Sequence, residues 1–130
     1  MIEYVFVYGT LKPAYRFHYL CQDMGLVSSQ KAFIQGFNLF HIDPENYPAI
    51  IAGSGTVYGY LLEFEDITKA LVALDDLEGV DKNPAHYFRE KVKAKPQNVE
   101  AWAYVINLAG GITMDRLEPV PSGIWQPKTL

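Results

Sequence analysis

Tyr4-Val5-Phe6-Val7-Tyr8, closed by Gly9-Thr10-Leu11, is the stretch on which the architecture turns. Five β-branched or aromatic residues in a row favour a strand. The near-absence of polar alternation over residues 2–8 predicts burial on both faces, hence a central strand. Gly9-Thr10 ends it, with Lys12-Pro13 just beyond. Working outward, a short helix is expected over Arg16–Met24, where Phe17, Leu20, Cys21 and Met24 fall at helical spacing before Gly25.

Two strands are expected within Val27–Ile42, on either side of Gln35-Gly36. Pro44–Pro48 reads as a loop carrying Tyr47, and Ala49–Ala52 as a short apolar strand. Gly53-Ser54-Gly55 then reads as a hairpin turn returning through a strand over Thr56–Phe64. The clearest helix starts after Asp66, a fitting N-cap, with Ile67, Leu71, Leu74 and Leu77 on one stripe and Gly79 as its stop. Tyr87–Lys95 alternates as a half-buried strand whose lysines suit a sheet edge. Ala101–Ile106 is apolar on both faces and reads as a second central strand.

Six or seven strands and two helices, without a regular β–α alternation, disfavour a doubly wound parallel sheet. The expected fold is α+β: a small mixed or antiparallel β-barrel with flanking helices, its strands bent at Gly36 and Gly59. At 130 residues the chain suits a single domain, 1–130, with an extended C-terminal tail over about 114–130. The prolines at 119, 121 and 127 and Trp125 suggest that this tail lies over the barrel, either covering a pocket mouth or packed as a terminus.

Eleven Lys and Arg against fifteen Asp and Glu leave a net charge of −4, which argues against a nucleic-acid partner. No apolar run is long enough to span a bilayer and no basic-then-apolar leader opens the chain, so no membrane partner and a cytoplasmic location are expected. The lone cysteine, Cys21, excludes an intramolecular disulfide and a multi-thiolate zinc site. His18, His41 and His86 lack a metal-ligand spacing, so no metal is expected. Nine tyrosines, apolar rings with a polar tip, suit either the wall of a small-molecule pocket or a β-rich core.

No standard nucleophile stands out. His18 and Cys21 share a helix face, but Cys21 also lies on the apolar stripe, where a buried inert thiol is the ordinary outcome. Two features point to chemistry. Tyr8-Gly9-Thr10-Leu11 puts successive backbone N–H groups in a turn, a concave donor set that suits a carboxylate; as a bare pattern it reads more simply as a strand-ending turn. Leu74-Asp75-Asp76-Leu77-Glu78-Gly79 crowds acids at a helix C-terminus, where the carbonyl ends disfavour them. Asp75 and Asp76 read as solvated surface charges. Glu78, after the apolar Leu77, reads as the acid turned inward, with burial expected to raise its proton affinity.

In this order the motifs resemble the γ-glutamylcyclotransferase-like family, including its γ-glutamylamine cyclotransferase and AIG2-like branch. The residues carrying the resemblance are Val5 to Lys12 with its Tyr-Gly-Thr-Leu, Tyr47-Pro48, Leu74 to Gly79, Tyr87-Phe88-Arg89, and Ala101 to Val105 with Trp102 and Tyr104. The resemblance implies a small β-barrel with flanking helices and a cofactor-free reaction, in which a γ-glutamyl amide cyclises to 5-oxoproline and releases its amine. It implies that Glu78 is the catalytic acid/base and that Tyr8, Gly9, Thr10 and Leu11 hold the substrate's α-carboxylate. Tyr47, Tyr87 and Tyr104 are the further substrate-binding residues expected, with Tyr8, Tyr87 or Tyr104 as donors to a developing oxyanion. The only partner expected is a small molecule.

This chemistry needs no Ser or Cys, because the substrate's own amine attacks. It sets an energetic condition: an α-ammonium near pKa 8 facing a Glu near 4.3 makes the proton transfer cost about 5 kcal/mol. A rise of ~2–3 units through burial would remove about 3–4 of those. Glu78 therefore has to sit in a poorly hydrated pocket. The other readings of such a pocket are a module that binds a small carboxylate-bearing metabolite without turnover, and an amide hydrolase on the same scaffold.

Overall fold

The computed structural model describes residues 2–128. Six strands form one mixed sheet: β1 (Tyr4–Val7), β2 (Leu26–Ile42), β3 (Tyr47–Phe64), β4 (Tyr87–Ala94), β5 (Val99–Ile106) and β6 (Leu117–Pro119), in the order β4-β5-β1-β3-β2-β6. Helix α1 (His18–Asp23) follows β1, and α2 (Ile67–Leu77) links β3 to β4. β1 runs antiparallel to β3 and parallel to β5, where Val5 stands opposite Trp102. The other pairings are antiparallel.

The sheet curls until Phe33 in β2 and Lys95, just beyond β4, exchange two backbone hydrogen bonds of 2.8 and 2.9 Å. The result is the small mixed β-barrel with flanking helices that the sequence leads one to expect. β1 is central and buried on both faces, as its unbroken apolar run requires. Phe6 packs into the barrel with Ile34, Ile50, Val57 and Leu61, whereas Val5 and Val7 pack outward beneath the helices with Leu62, Ile67 and Leu74. Gly59 lets β1 cross closely, since a Cβ there would lie 2.1 Å from the Val7 carbonyl oxygen.

The middle of the chain departs from expectation. Residues 27–42 form one strand rather than two, and Tyr47-Pro48 begins β3 rather than closing a loop. The hairpin turn lies at residues 43–46, between Ile42 and Tyr47, with Asn46 at φ +61°. Gly53-Ser54-Gly55 is not the turn. It is an excursion within β3, opposite a break in register between Gln35 and Phe37, where Gly36 takes φ +88°. Asn38 fastens it by accepting from the Gly55 N–H at 2.9 Å. Continuous pairing from Ile42–Tyr47 back to Leu26–Phe64 outweighs the local turn propensity of two glycines.

Helix α1 is shorter than expected, starting at His18 rather than Arg16. In α2 the Asp66 cap is present, its carboxylate accepting from the Lys69 N–H at 3.2 Å. The core side of α2 is Ile67, Ala70 and Leu74, while Leu77 is 40% exposed and leaves the expected apolar stripe. β4 is an edge strand with buried Val92 and Ala94 and exposed Lys91 and Lys93. After a 3-10 turn at Met114–Arg116, β6 adds to β2, and the chain returns Trp125, 1% exposed, to the barrel core.

Among the described residues, no helix is long and apolar enough to cross a membrane.

Candidate active site

The ends of five elements, β1, β3, α2, β4 and β5, converge on one cavity. β1 delivers Tyr8 and then turns through Gly9-Thr10-Leu11, closed by hydrogen bonds from the Lys12 N–H to the Gly9 carbonyl (3.0 Å) and from the Phe17 N–H to the Thr10 carbonyl (2.9 Å). Gly9 lies against Pro48 so tightly that a Cβ would come 2.1 Å from the proline Cγ. Only glycine lets the turn approach Tyr47-Pro48 this closely. Among the described residues no backbone carbonyl accepts from the N–H groups of Gly9, Thr10 or Leu11. The turn therefore presents free donors.

The last turn of α2 delivers Glu78. Its N–H still bonds to the Leu74 carbonyl at 2.9 Å, and Gly79, at φ +68°, then swings the chain away. A Cβ on Gly79 would meet His86 Nδ1 at 2.6 Å, so helix exit and the approach to β4 are pressed together. β4 supplies Tyr87 and β5 supplies Tyr104. These elements enclose a cavity of about 330 Å³, within the range of small-ligand sites. The structure brings all the residues singled out in the sequence into its lining: Tyr8, Gly9, Thr10, Leu11, Tyr47 and Glu78, together with Tyr87 and Tyr104. Phe17, Leu77 and His86 complete the wall and have no sequence signal of their own.

Glu78 opens on this cavity and is otherwise surrounded by protein. Loss of hydration pushes its carboxyl up to about 7. Tyr8 and Tyr87 are held well above the usual phenol range, first by burial and then by negative or potentially negative neighbours that include Glu78. Tyr104 is raised likewise, by burial and by its hydrogen bond to Asp75.

Two expectations need correction. Asp75 is not a solvated surface charge: its carboxylate pairs with Arg89 Nη1 at 2.7 Å and accepts from the Tyr104 hydroxyl at 2.8 Å. Register places Arg89 opposite Tyr104, two neighbouring strands presenting both donors to one helix. Next, the tyrosine hydroxyls are not free to donate to an oxyanion. Tyr8 donates to the Tyr104 carbonyl (2.5 Å), Tyr87 to the Pro48 carbonyl (2.8 Å), and Tyr104 to Asp75. His18 and Cys21 form no catalytic pair, as the thiol's place on the apolar stripe leads one to expect. His18 Nδ1 is spent on the Leu11 carbonyl at 2.8 Å, and burial pushes the Cys21 thiol up to about 12. Among the described residues no three His, Cys, Asp or Glu side chains gather as a metal site.

The family model for gamma-glutamyl cyclotransferase, AIG2-like, matches residues 5–127. The chain belongs to this family. Solved structures share the gamma-glutamyl cyclotransferase, AIG2-like fold. An AIG2-like protein from Mus musculus superposes with a TM-score of 0.71 at 23% identity, over 99% of this chain and 98% of that one. YtfP from Escherichia coli gives a TM-score of 0.59 at 26% identity, over 94% and 95%. An uncharacterized protein from Pyrococcus horikoshii gives 0.68 at 17% identity, over 95% and 89%. No curated protein matches the chain in sequence.

Proposed function

We propose that the protein is a cyclotransferase that converts a γ-glutamyl amide to 5-oxoproline and a free amine, with Glu78 as the single acid/base. The observation that carries this reading is a carboxyl held near neutral proton affinity in a partly open cavity that it shares with a turn of unpaired backbone donors. Gly9, Thr10 and Leu11 bind the substrate's α-carboxylate through those donors. The tyrosine and proline walls exclude water from the rest of the glutamyl unit.

The steps balance without any cofactor. Glu78 takes a proton from the α-ammonium, and the neutral amine attacks the γ-carbonyl carbon. A tetrahedral intermediate forms; Glu78 returns its proton to the amide nitrogen as the carbon–nitrogen bond to the leaving amine breaks, then takes the second proton from the ring nitrogen and passes it to the departing amine, which leaves as an ammonium. The energetics now fit. With the ammonium near 8 and Glu78 near 7, the transfer costs about 1.4 kcal/mol, against about 5 for an exposed carboxylate. Membership of the family supports the reaction class, while the leaving amine is left to experiment.

The test is 5-oxoproline release from a panel of γ-glutamylamines by the native protein and by Glu78→Gln. Native turnover with a fall of about 10²–10⁴-fold in the variant is expected. Equal turnover by both proteins removes Glu78 from the mechanism. Glutamate as product identifies a hydrolase instead, and ligand-induced thermal stabilisation without product identifies a binding module.

A further inference from the structure

Glu78 is ringed by hydroxyl groups, and none of them serves it. Tyr8 just after β1, Tyr87 from β4 and Tyr104 from β5 all line the cavity on which it opens. Each nevertheless gives its proton to another acceptor, and among the described residues no donor reaches the Glu78 carboxylate. Tyr47 and His86 also face the cavity, from β3 and from the segment before β4. For Tyr8 and Tyr87 the acceptors are backbone carbonyls, positioned by the strands themselves. For Tyr104 the acceptor is a side chain: Asp75, one helical turn before Glu78 and on the same helix.

Asp75 is in an unfavourable place for an acid, because the C-terminal turn of a helix already carries partial negative charge. Arg89 offsets that. Its guanidinium bonds to Asp75 Oδ2 at 2.7 Å and lies over the Trp102 ring with its carbon 4.8 Å from the centroid. The other oxygen, Oδ1, takes the Tyr104 proton at 2.8 Å. A charged acceptor outcompetes a neutral one for a hydroxyl donor. Tyr104 and Glu78 line the same cavity, and among its described lining residues Glu78 is the acidic side chain left to accept that hydroxyl once Asp75 is removed.

We propose that Asp75, held by Arg89, is a positioning residue that draws the Tyr104 hydroxyl away from Glu78 and thereby keeps the catalytic carboxyl free of hydrogen-bond donors. The inference rests on the reading of Glu78 given above for its catalytic meaning, though not for its physical content. A donor to the ionised form of a carboxylate stabilises that form and weakens its hold on a proton. Asp75 and Arg89 together thus preserve the proton affinity that burial confers, and because their charges cancel, they add little field of their own.

The experiment titrates the Glu78 carboxyl by carbon-13 NMR in the native protein, in Asp75→Ala and in Asp75→Ala/Tyr104→Phe. The pH dependence of 5-oxoproline formation is followed in parallel. The native midpoint is expected near 7. In Asp75→Ala the freed hydroxyl turns to Glu78 and the midpoint falls by about one pH unit, with the pH–rate profile moving alike. Removing that hydroxyl in the double variant returns the midpoint to the native value. Should the single variant titrate like the native protein, the proposal is wrong. A double variant that stays low also overturns it, because the unpaired Arg89 charge would then be the cause. If Asp75→Ala does not fold, Asp75→Asn keeps the shape and offers Tyr104 a weaker, neutral acceptor, for which a smaller fall is expected and an unmoved midpoint counts against the idea. If no substrate turns over, the titration still decides the role of Asp75, and only the proposed reaction is lost.

Discussion

His41 is buried on β2 and Glu78 is half-buried at the end of α2, and the protein treats them in opposite ways. His41 is 3% exposed with both ring nitrogens engaged: Nδ1 takes the Trp125 indole N–H at 3.0 Å and Nε2 faces Asp43 at 2.9 Å. Because an indole can only donate, the ring proton lies on Nε2. The same tryptophan offers its carbonyl to the buried Lys12 ammonium at 2.8 Å, and Asp43 also holds Lys128. Glu78 has no such company. The hydroxyls of Tyr8, Tyr87 and Tyr104 are turned elsewhere. A satisfied polar cluster locks the C-terminal segment to the barrel, while a carboxyl deprived of partners stays able to take and return a proton.

Breaking the first cluster carries the largest expected effect on stability. Trp125→Ala empties a fully buried ring site and should cost about 3–5 kcal/mol, read from urea midpoints. A loss near zero would mean that the tail does not contribute to the core. Glu78→Gln tests the other side of the contrast and should be stabilising under the right conditions. The folded carboxyl binds its proton more tightly than the unfolded one, at about 7 against 4.5. The native state therefore holds an extra proton between these values, and stability falls as pH rises through that window. At pH 8 the ionised side chain costs up to about 3 kcal/mol, which Glu78→Gln should recover. Below pH 4.5 the two proteins should melt alike, and a gain independent of pH would break the interpretation.

His41→Leu is the smallest of the three. It orphans the indole N–H and should cost about 1–3 kcal/mol. The midpoint of the pH–rate profile should not move. A shifted midpoint would show that the two clusters are coupled, which sharpens the contrast into a connection.

Several features could be read locally. Asp66 caps α2 and Gly79 ends it, as their side-chain chemistry and backbone freedom predict. The apolar run of β1 marks it as central, and the lysines of β4 mark it as an edge. Glu78, placed at a helix exit after apolar residues, could be suspected from its unfavourable position alone. Asp75 carries the same local signature as Asp76, and nothing nearby in the chain distinguishes them. Only Arg89 and Tyr104, 14 and 29 residues away, turn Asp75 into a half-buried acceptor. The β2–β3 hairpin was hidden for a related reason: Gly53-Ser54-Gly55 is the better turn by composition, and residues 43–46 win through the cumulative pairing of two long strands.

Taken alone, the order of residues determined where α2 begins and ends, which strand lies at the centre and which at the edge, and the order of motifs that marks the family. These depend on neighbours within a few positions, through backbone preference and side-chain periodicity. The tertiary structure decided which hydroxyl serves which acceptor, that Trp125 fills the barrel, and that Glu78 faces a cavity without a donor. Hydrogen-bond allegiance and hydration are settled by atoms distant along the chain, at separations of a few ångströms that no local pattern encodes.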